Sequence, residues 1–247
     1  MLAIFPLIVM SASITTKAQE PPTMLANVHR IVFMGDSITA AGTSPKGYIT
    51  VIDGTLKSMY PNHPIELLNV GIGGQKAPDM HARFKKDVLD KHPDLVTISV
   101  GVNDVWHDFR DFQANKRIPA GNSGRGVKLD LHIKELEAMV TEAKAAGIKV
   151  VMLSPTLIYE DLNCDENKRL LTYVNAQDKL AKKYQVPYVN LNKAFRNVVS
   201  AYQKQAGMTQ LLLTSDGVHM NPQGDAVMAN EVLKAMGVPL PNYLSPR

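Results

Sequence analysis

Cysteine is almost absent from this sequence, and its absence sets the first limits. Cys164 is the only cysteine in 247 residues, so no intramolecular disulfide forms and no cysteine near the N-terminus can carry a lipid anchor. Aromatic residues make up 6% of the chain, and no dense block of lysine and arginine is interleaved with them. The formal net charge of +4 is mild. We therefore expect no nucleic-acid partner, and basic residues on solvated helix faces.

Hydrophobic runs long enough to span a bilayer are also absent. Residues 2–10 are apolar, but this stretch is too short for a membrane span, so no stable membrane insertion is expected. Small and hydroxyl residues follow, with Thr16 and Ala18 placed as at a cleavage site. Residues 1–18 therefore resemble a secretory signal peptide. We expect residues 19–247 to form one domain that is secreted or periplasmic.

Motifs that bind metals or nucleotides are missing too. The segment "GIGGQ" at 71–75 lacks the Lys-Ser/Thr pair of a P-loop and the third glycine of a dinucleotide fingerprint. No H-E-x-x-H spacing occurs among the histidines considered as ligands, at positions 63, 81, 92, 107, 132 and 219. We therefore expect neither a metal nor a cofactor.

The sequence does contain a regular alternation of strands and helices. Continuous apolar runs rich in valine, isoleucine and leucine are typical of strands buried on both faces of a parallel sheet. They occupy residues 30–34, 65–70, 94–100, 148–153 and 186–191. Helical stretches separate them. Five such units predict an open, doubly wound parallel sheet of five strands, because a TIM barrel would need eight.

Two helices have recognisable ends. Residues 127–146 carry an apolar stripe with a helical period, and Gly147 stands where a glycine commonly ends a helix. The last helix is expected to begin with Asn221 as its N-cap and Pro222 at its first position, and to stop at Gly237.

One connection, residues 105–126, is long and shows no clear period. A connection of this length in a compact domain is more often functional than idle. Because it follows the third strand, we expect it to overhang the rim at which that strand ends.

Residues able to carry chemistry follow the strands at that rim. The carboxyl ends of parallel strands share one edge of the sheet, so side chains that follow different strands are expected to meet there. A serine, a glycine-rich turn, an amide and an Asp/His pair are the parts of an acyl-transfer site. In chain order they are Asp36, Ser37, Gly71, Gly73, Gly74, Asn103, Asp104, Asp216 and His219.

Each part would have a specific task in such a site. An imidazole takes the proton of the serine hydroxyl, and an acid on the other ring nitrogen fixes the tautomer. The charge that develops on the attacked carbonyl oxygen needs donors already in place. The backbone N–H groups of Ser37 and Gly74 and the side chain of Asn103 are candidates for those donors.

Simpler interpretations of the same residues remain open. Ser37 alone suits the N-cap of the next helix, and the paired glycines alone suit a turn. The spacing Asp-x-x-His occurs twice, at Asp104–His107 and at Asp216–His219. Both pairs follow or precede elements at the candidate edge, so the residues by themselves do not decide between them.

Four segments together resemble the SGNH (GDSL-type) hydrolase family. They are "GDSI" at 35–38, "NVGIGGQ" at 69–75, "GVND" at 101–104 and "DGVH" at 216–219, in the family's order, and the resemblance covers roughly residues 30–236. It implies a three-layer α/β/α sandwich with a flavodoxin-like sheet. Position 39 holds threonine where the G-x-S-x-G elbow has its second glycine, which counts against the ordinary α/β-hydrolase fold.

The resemblance also implies a role for each site residue. Ser37 would be the nucleophile, His219 the base and Asp216 the acid that orients it. The oxyanion hole would comprise the Ser37 backbone, the Gly74 backbone and the Asn103 side chain. The family's spacing from Asn69 favours Gly74 over Gly71.

The resulting hypothesis is a secreted serine esterase without a cofactor. It would hydrolyse short acyl esters, above all acetyl esters on a carbohydrate, through an acyl-enzyme on Ser37. The polar, basic segment 105–126 and the lack of a long apolar lid favour a hydrophilic alcohol. Asp36, Trp106 and His107 are possible substrate contacts.

Two alternatives are carried forward. One is a lysophospholipase or thioesterase of the same family. The other is a non-catalytic flavodoxin-like binding module that holds an anion at the helix N-terminus after Gly35. The sequence predicts no oligomeric state.

Overall fold

The central sheet of the protein consists of five parallel strands. The computed structural model describes residues 19–206 and 211–240, so the expected signal peptide, residues 1–18, lies outside the described residues. The strands in this part of the chain are β1 (Arg30–Met34), β2 (Glu66–Asn69), β3 (Leu95–Ser99), β4 (Arg110–Asp111), β5 (Lys116–Arg117), β6 (Lys149–Leu153) and β7 (Tyr188–Val189). The sheet order is β2-β1-β3-β6-β7, whereas β4 and β5 form a separate antiparallel hairpin.

Helices connect the strands of the sheet. They are α1 (Ser37–Ala41), α2 (Tyr48–Met59), α3 (Ala77–Asp87), α4 (Val102–Trp106), α5 (Leu129–Ala145), α6 (Asp165–Tyr184), α7 (Leu191–Ala206) and α8 (Pro222–Ala235). Short 3₁₀ turns lie at Leu89–Lys91 and His107–Phe109. None of the helices described is both long and apolar enough to cross a membrane.

Both faces of the sheet are covered, because successive side chains of each strand point to opposite sides. In β1, Ile31 and Phe33 join a core that includes residues of α2, α7 and α8. Val32 and Met34 join the opposite core, which includes residues of α3 and α5. The predicted three-layer α/β/α, flavodoxin-like fold is therefore confirmed.

The predicted element bounds hold closely, with one exception. The strand expected at residues 186–191 is only Tyr188–Val189. Pro187 has no N–H to donate, and α7 already begins at Leu191, so little of the run can join the ladder. The helix ends are confirmed: Asn221 caps α8 through its side chain, and the glycines after α5 and α8 have positive φ.

The connection at 105–126 is not the plain loop expected. It contains the end of α4, a 3₁₀ turn and the β4–β5 hairpin. Arg117 makes a bidentate ion pair of 2.5 and 2.7 Å with the buried carboxylate of Glu166 on α6. Arg169, also on α6, binds Asp108 at 3.2 Å and the carbonyl of Gly121 at 2.6 Å. These long-range ion pairs hold the segment in one place, and no local sequence period encodes them.

An imidazole pinned between two carboxylates links α3 to α5. His81 Nδ1 lies 2.5 Å from Glu135 and its Nε2 lies 2.9 Å from Glu142. Burial lowers the pKa of His81, but the two hydrogen-bonded carboxylates outweigh burial and leave that pKa raised. A raised histidine pKa stabilises the fold below the unfolded value of about 6.5, and the gain disappears as pH rises through the folded value.

We therefore expect His81→Asn to lower the melting temperature most below about pH 6.5, where the imidazole is charged and the raised pKa contributes fully to stability. The difference from the wild type should shrink toward alkaline pH. Thermal melts of both proteins across this range provide the test, with His92→Asn at an exposed site as the matched control. A difference that stays constant with pH would contradict the ion-pair interpretation.

Candidate active site

The candidate site lies outside the carboxyl ends of β1 and β3, the neighbouring strands at the centre of the parallel order. In a doubly wound sheet this is the point at which connections leave in opposite directions and open a crevice. The segment after β1 supplies Asp36 and Ser37, and the segment after β3 supplies Asn103 and Asp104.

Asp36, and not Ser37, caps the helix that follows β1. The carboxylate of Asp36 accepts the backbone N–H of Ile38 at 2.9 Å, and Ser37 is the first helical residue. The interpretation of Ser37 as a mere N-cap is therefore wrong. A Cβ at Gly35 would lie 2.0 Å from the Thr39 hydroxyl oxygen, so only glycine allows this close start of α1.

Ser37, His219 and Asp216 form a continuous chain of hydrogen bonds. His219 Nε2 lies 2.9 Å from Ser37 Oγ, and His219 Nδ1 lies 2.7 Å from Asp216 Oδ2. The other oxygen of Asp216 accepts the backbone N–H groups of Val218 and His219 at 2.9 and 2.8 Å. Partial burial raises the pKa of Asp216, but these hydrogen bonds lower it further than burial raises it. The ionised carboxylate therefore favours the ring tautomer with its proton on Nδ1.

A tight turn holds Asp216 and His219 at this distance. Thr214 and Met220 form an antiparallel bridge that closes the turn. Gly217 within it has φ +95°, and a Cβ there would lie 2.6 Å from the Tyr159 ring. The N–H of Tyr159 donates to the Gly217 carbonyl at 2.6 Å. Tyr159 itself has φ +61°, an unfavourable conformation for a non-glycine residue, and this hydrogen bond helps to hold it.

The glycine-rich turn after β2 lies against Ser37, and its glycines differ in their surroundings. A Cβ on Gly73 would lie 3.8 Å from Ser37 Cβ. A Cβ on Gly71 would lie 2.2 Å from the Ala40 nitrogen, so Gly71 is needed for packing. Gly74 has φ +76° and open space beside it. This difference agrees with the choice of Gly74 as the residue that faces substrate.

The Asn103 amide lies between the turn after β2 and the start of α1. Asn103 Nδ2 donates to the Gln75 carbonyl at 3.1 Å and to Asp36 Oδ2 at 3.4 Å. Asn103 is buried, so its orientation is set by these partners. The side chain thus bridges the turn after β2 and the start of α1.

Asp36 does not fit the substrate contact expected from the sequence. It is only 3% exposed, and its two oxygens are directed to Ile38 and Asn103. Burial raises the pKa of Asp36 to about 6, and the nearby charge of Asp104 adds to the effect. Asp36 therefore helps to position Asn103 and the start of α1, at which Ser37 lies.

The second Asp-x-x-His pair does not form. Asp104 binds His132 of α5 instead, at 2.9 Å between Oδ1 and Nδ1, with both side chains fully buried. His107 is half-buried on the 3₁₀ turn, and burial together with the charge of Lys76 lowers its pKa. Asp216–His219 is thus the pair that reaches Ser37, because the turn at Gly217 brings its ring to the serine.

Trp106 lies beside Tyr159, which contacts the Asp216–His219 turn. Its indole Nε1 donates to the Tyr159 hydroxyl at 3.1 Å, and the Tyr159 ring lies against Gly217. Phe112 of the 105–126 segment packs edge-on against Trp106, with 5.7 Å between ring centroids. The sequence reasoning did not single out Tyr159 or Phe112. β6 ends at the same rim, so the segment that follows it begins there. This position was the signal that could have revealed Tyr159.

Comparisons with known proteins identify the family. The sequence profile of the GDSL-like lipase/acylhydrolase family matches residues 33–227. The chain belongs to this family.

Two relatives in sequence and one in structure are named as esterases. An acetylxylan esterase of Geobacillus stearothermophilus is 27% identical over 219 residues, which cover 84% of this chain and 94% of that protein. An isoamyl acetate-hydrolyzing esterase of Saccharomyces cerevisiae is 29% identical over 53% of this chain and 56% of its own. The crystal structure of an acetyl xylan esterase, AlAXEase, matches with a TM-score of 0.71 and 33% identity, over 83% of this chain and 98% of its own. The chain is therefore a GDSL-type hydrolase of ester bonds.

A buried carboxylate in this esterase holds the strand-like segment that leads into the Asp216–His219 turn. Glu160 Oε1 accepts the N–H groups of Leu213 and Thr214 at 2.8 and 2.9 Å and the Thr214 hydroxyl at 2.8 Å. Its Oε2 accepts the Leu212 N–H at 2.7 Å. Asn221 binds the opposite edge of the segment through the Leu212 carbonyl at 2.9 Å. Three consecutive N–H groups thus converge on the Glu160 carboxylate, as they do where a turn of backbone binds an anion.

We expect Glu160→Gln to lower both the melting temperature and the kcat of the esterase. Glutamine keeps the size but turns an amide NH₂ toward N–H donors, and an unsatisfied buried group costs about 1–3 kcal/mol. Thermal melts and kcat with p-nitrophenyl acetate measure the two effects. Glu231→Gln, which changes only the contacts of Glu231 with the neighbouring Lys234 and Asn230 on α8, is the matched control. A wild-type kcat alongside a lowered melting temperature would show that Glu160 contributes to stability and not to the positioning of the catalytic turn.

Proposed function

We propose that this protein is a secreted or periplasmic serine esterase that removes acetyl groups from a carbohydrate of the xylan type. The observation that carries the catalytic part is the chain of hydrogen bonds from Ser37 through His219 to Asp216. A serine hydroxyl becomes a competent nucleophile when an adjacent base takes its proton, and the contact at 2.9 Å provides that base.

The proposed reaction proceeds in two halves. Ser37 Oγ attacks the ester carbonyl carbon while His219 Nε2 takes the hydroxyl proton. The tetrahedral intermediate then expels the sugar alkoxide, which receives that proton from His219, and an acetyl ester remains on Ser37. A water molecule repeats the cycle, with His219 again as base, and releases acetate. Asp216 stays ionised and stabilises the imidazolium in both halves.

Three donors are proposed to stabilise the oxyanion: the N–H groups of Ser37 and Gly74 and the side-chain amide of Asn103. The Asn103 contact with Asp36 is long, at 3.4 Å, so the amide loses little when it turns that hydrogen to the substrate. The turn containing Gly74 is exposed, which gives a substrate oxygen access to the main chain.

The relatives support this assignment of residues and of the acyl group. Solved structures of the Geobacillus stearothermophilus acetylxylan esterase include catalytic mutants in which a serine, an aspartate or a histidine is replaced by alanine. In that protein the aspartate precedes the histidine by three positions, as Asp216 precedes His219. Both named relatives act on acetyl esters by their names, although their alcohols differ.

A hydrophilic alcohol is supported by the segment that borders the site. Trp106 and His107 lie on it and are the side chains proposed to contact the alcohol. The charged residues Arg110, Lys116 and Arg125 accompany them, and a surface of this polarity suits a hydrophilic alcohol better than a long acyl chain.

Export is proposed on the composition of residues 1–18, with an apolar stretch followed by small residues. N-terminal sequencing of the protein recovered from outside the cytoplasm tests it. Recovery of an uncleaved chain in the cytoplasm alone would overturn this part of the proposal.

Ser37→Ala should abolish hydrolysis of p-nitrophenyl acetate and leave the melting temperature near the wild-type value, because only a partly exposed hydroxyl is removed. A fluorophosphonate should label the wild type at Ser37 and leave this variant unlabelled, as read by mass spectrometry of the peptide. Ser58→Ala, at an exposed position of α2, is the control. Undiminished turnover by the Ser37 variant would end the proposed mechanism.

Asn103→Ala should lower kcat on the order of 10²–10³-fold with a smaller change in KM, since the lost donor acts on charge that develops in the transition state. Because Asn103 is buried, a melt must show that the variant is folded under the assay conditions. A folded variant with wild-type kcat would remove Asn103 from the oxyanion hole.

Acyl preference separates the proposed acetylesterase from a lysophospholipase or thioesterase. Acetate release from acetylated xylo-oligosaccharides should exceed hydrolysis of p-nitrophenyl octanoate, of a lysophospholipid and of an acyl thioester. Faster turnover of any of the last three substrates would favour the corresponding alternative.

A further inference from the structure

The rim of the candidate site carries an exposed aromatic side chain with no role in the proposed chemistry. Phe112 is 43% exposed, one of the few large apolar side chains in the described residues left open to solvent. A single exposed apolar side chain is common on protein surfaces, so its contacts with neighbouring side chains decide whether it belongs to a binding surface.

Phe112 belongs to a defined cluster. Its ring stands edge-on to His107, with 4.8 Å between centroids, and edge-on to Trp106, at 5.7 Å. The guanidinium of Arg110 lies over the Trp106 ring at 5.4 Å and near the Phe112 ring at 6.0 Å. Arg110 also donates to the side-chain carbonyl of Asn115 across the hairpin. We call these five residues the rim cluster.

The rim cluster is fixed relative to the catalytic turn. On one side, the Trp106 indole donates a hydrogen bond to the Tyr159 hydroxyl. The backbone N–H of Tyr159 in turn donates to the Gly217 carbonyl. On the other side, the Lys76 ammonium binds the Arg125 carbonyl at 3.1 Å and ties the far end of the segment to the turn after β2. The exposed ring is thus connected to the Asp216–His219 turn through two side chains, Trp106 and Tyr159.

The anchors of the segment lie away from the exposed ring. Arg169 lies over the Phe109 ring at 4.3 Å, and a Cβ on Gly121 would lie 2.4 Å from that ring, so Phe109 is an apolar side chain that the segment buries. Arg117 is engaged with Glu166. Packing therefore accounts for Phe109 and leaves Phe112 outside the core.

The chemistry of the rim cluster fits a sugar ring better than an acyl chain. A pyranose presents axial C–H groups that pack on an aromatic ring, while its hydroxyls around the edge need hydrogen-bond donors and acceptors. The rim cluster offers the Phe112 ring bordered by the Arg110 guanidinium and the Asn115 amide. An acyl chain would need an apolar surface that encloses it on several sides.

We propose that the rim cluster is a subsite for a second sugar ring, a pyranose unit next to the one that carries the acetyl group. This inference rests on the proposed function and deepens it: the enzyme would recognise an oligosaccharide rather than an acetylated monosaccharide. Phe112 is then a specificity-determining residue that takes no part in bond cleavage.

The test compares Phe112→Ala with the wild type on acetylated xylotriose, acetylated xylose and p-nitrophenyl acetate. For acetylated xylotriose, kcat/KM should fall about tenfold, mainly through KM, because contact with the second ring is present in both ground and transition states. The values for the other two substrates should stay within twofold of wild type. Phe112→Trp should retain the trisaccharide preference. Leu131→Ala, at a similarly exposed leucine of α5, is the matched control and should change none of the three.

Each other result has a distinct meaning. An equal loss on all three substrates, or no loss on the trisaccharide, overturns the subsite. If p-nitrophenyl octanoate is assayed as a fourth substrate, a loss by Phe112→Ala on that ester alone assigns the ring to an acyl chain and also overturns the subsite. If the wild type hydrolyses p-nitrophenyl acetate but releases acetate from no saccharide, the carbohydrate substrate itself is wrong, and the subsite with it. If the wild type hydrolyses no ester at all, the catalytic proposal fails first.

Discussion

A hydrogen bond of 2.9 Å joins Ser37 to His219, two residues 182 positions apart in the chain. Such a contact survives only where both ends are held independently, since flexible segments would lose orientational freedom each time it formed. Ser37 is held by the helix that Asp36 caps, directly after a strand buried on both faces. His219 is held by a turn fastened to the segment after β6. The sheet brings these two supports together.

Buried carboxylates account for much of this support. Asp36, Asp104 and Glu160 are each buried, and each accepts hydrogen bonds from the backbone of a segment that lines the site. Burying a carboxylate is costly unless its oxygens are satisfied, and among the described residues Asp104 Oδ2 meets no hydrogen-bond donor. These carboxylates position Ser37, Asn103 and the Asp216–His219 turn without lying in the reaction path. Preorganised polar groups of this kind are what an acyl-transfer site needs.

In the segment between α4 and α5, some side chains anchor the segment to α6 and others are exposed to solvent. Arg117 and Phe109 connect it to α6, while Phe112 and the outer face of the hairpin stay in solvent. A connection fixed at both ends extends the site outward from the rim without a closing movement. The catalytic centre and the proposed sugar subsite thus use separate parts of the chain, held together by Trp106 and Tyr159.

The order of apolar runs along the chain was sufficient to predict the parallel sheet, because strands buried on both faces are apolar throughout and their carboxyl ends must share one edge. That edge also pointed to Ser37, whereas only the resemblance to the SGNH hydrolases favoured Asp216 and His219 over the other Asp-x-x-His pair. The partners of polar side chains were decided only by tertiary structure. Asp36 capping α1, Asp104 binding His132 and Glu160 binding the 212–214 segment all depend on side chains directed by distant elements. Periodicity reports which face of an element is apolar, and it carries no information about which distant donor a buried carboxylate will meet.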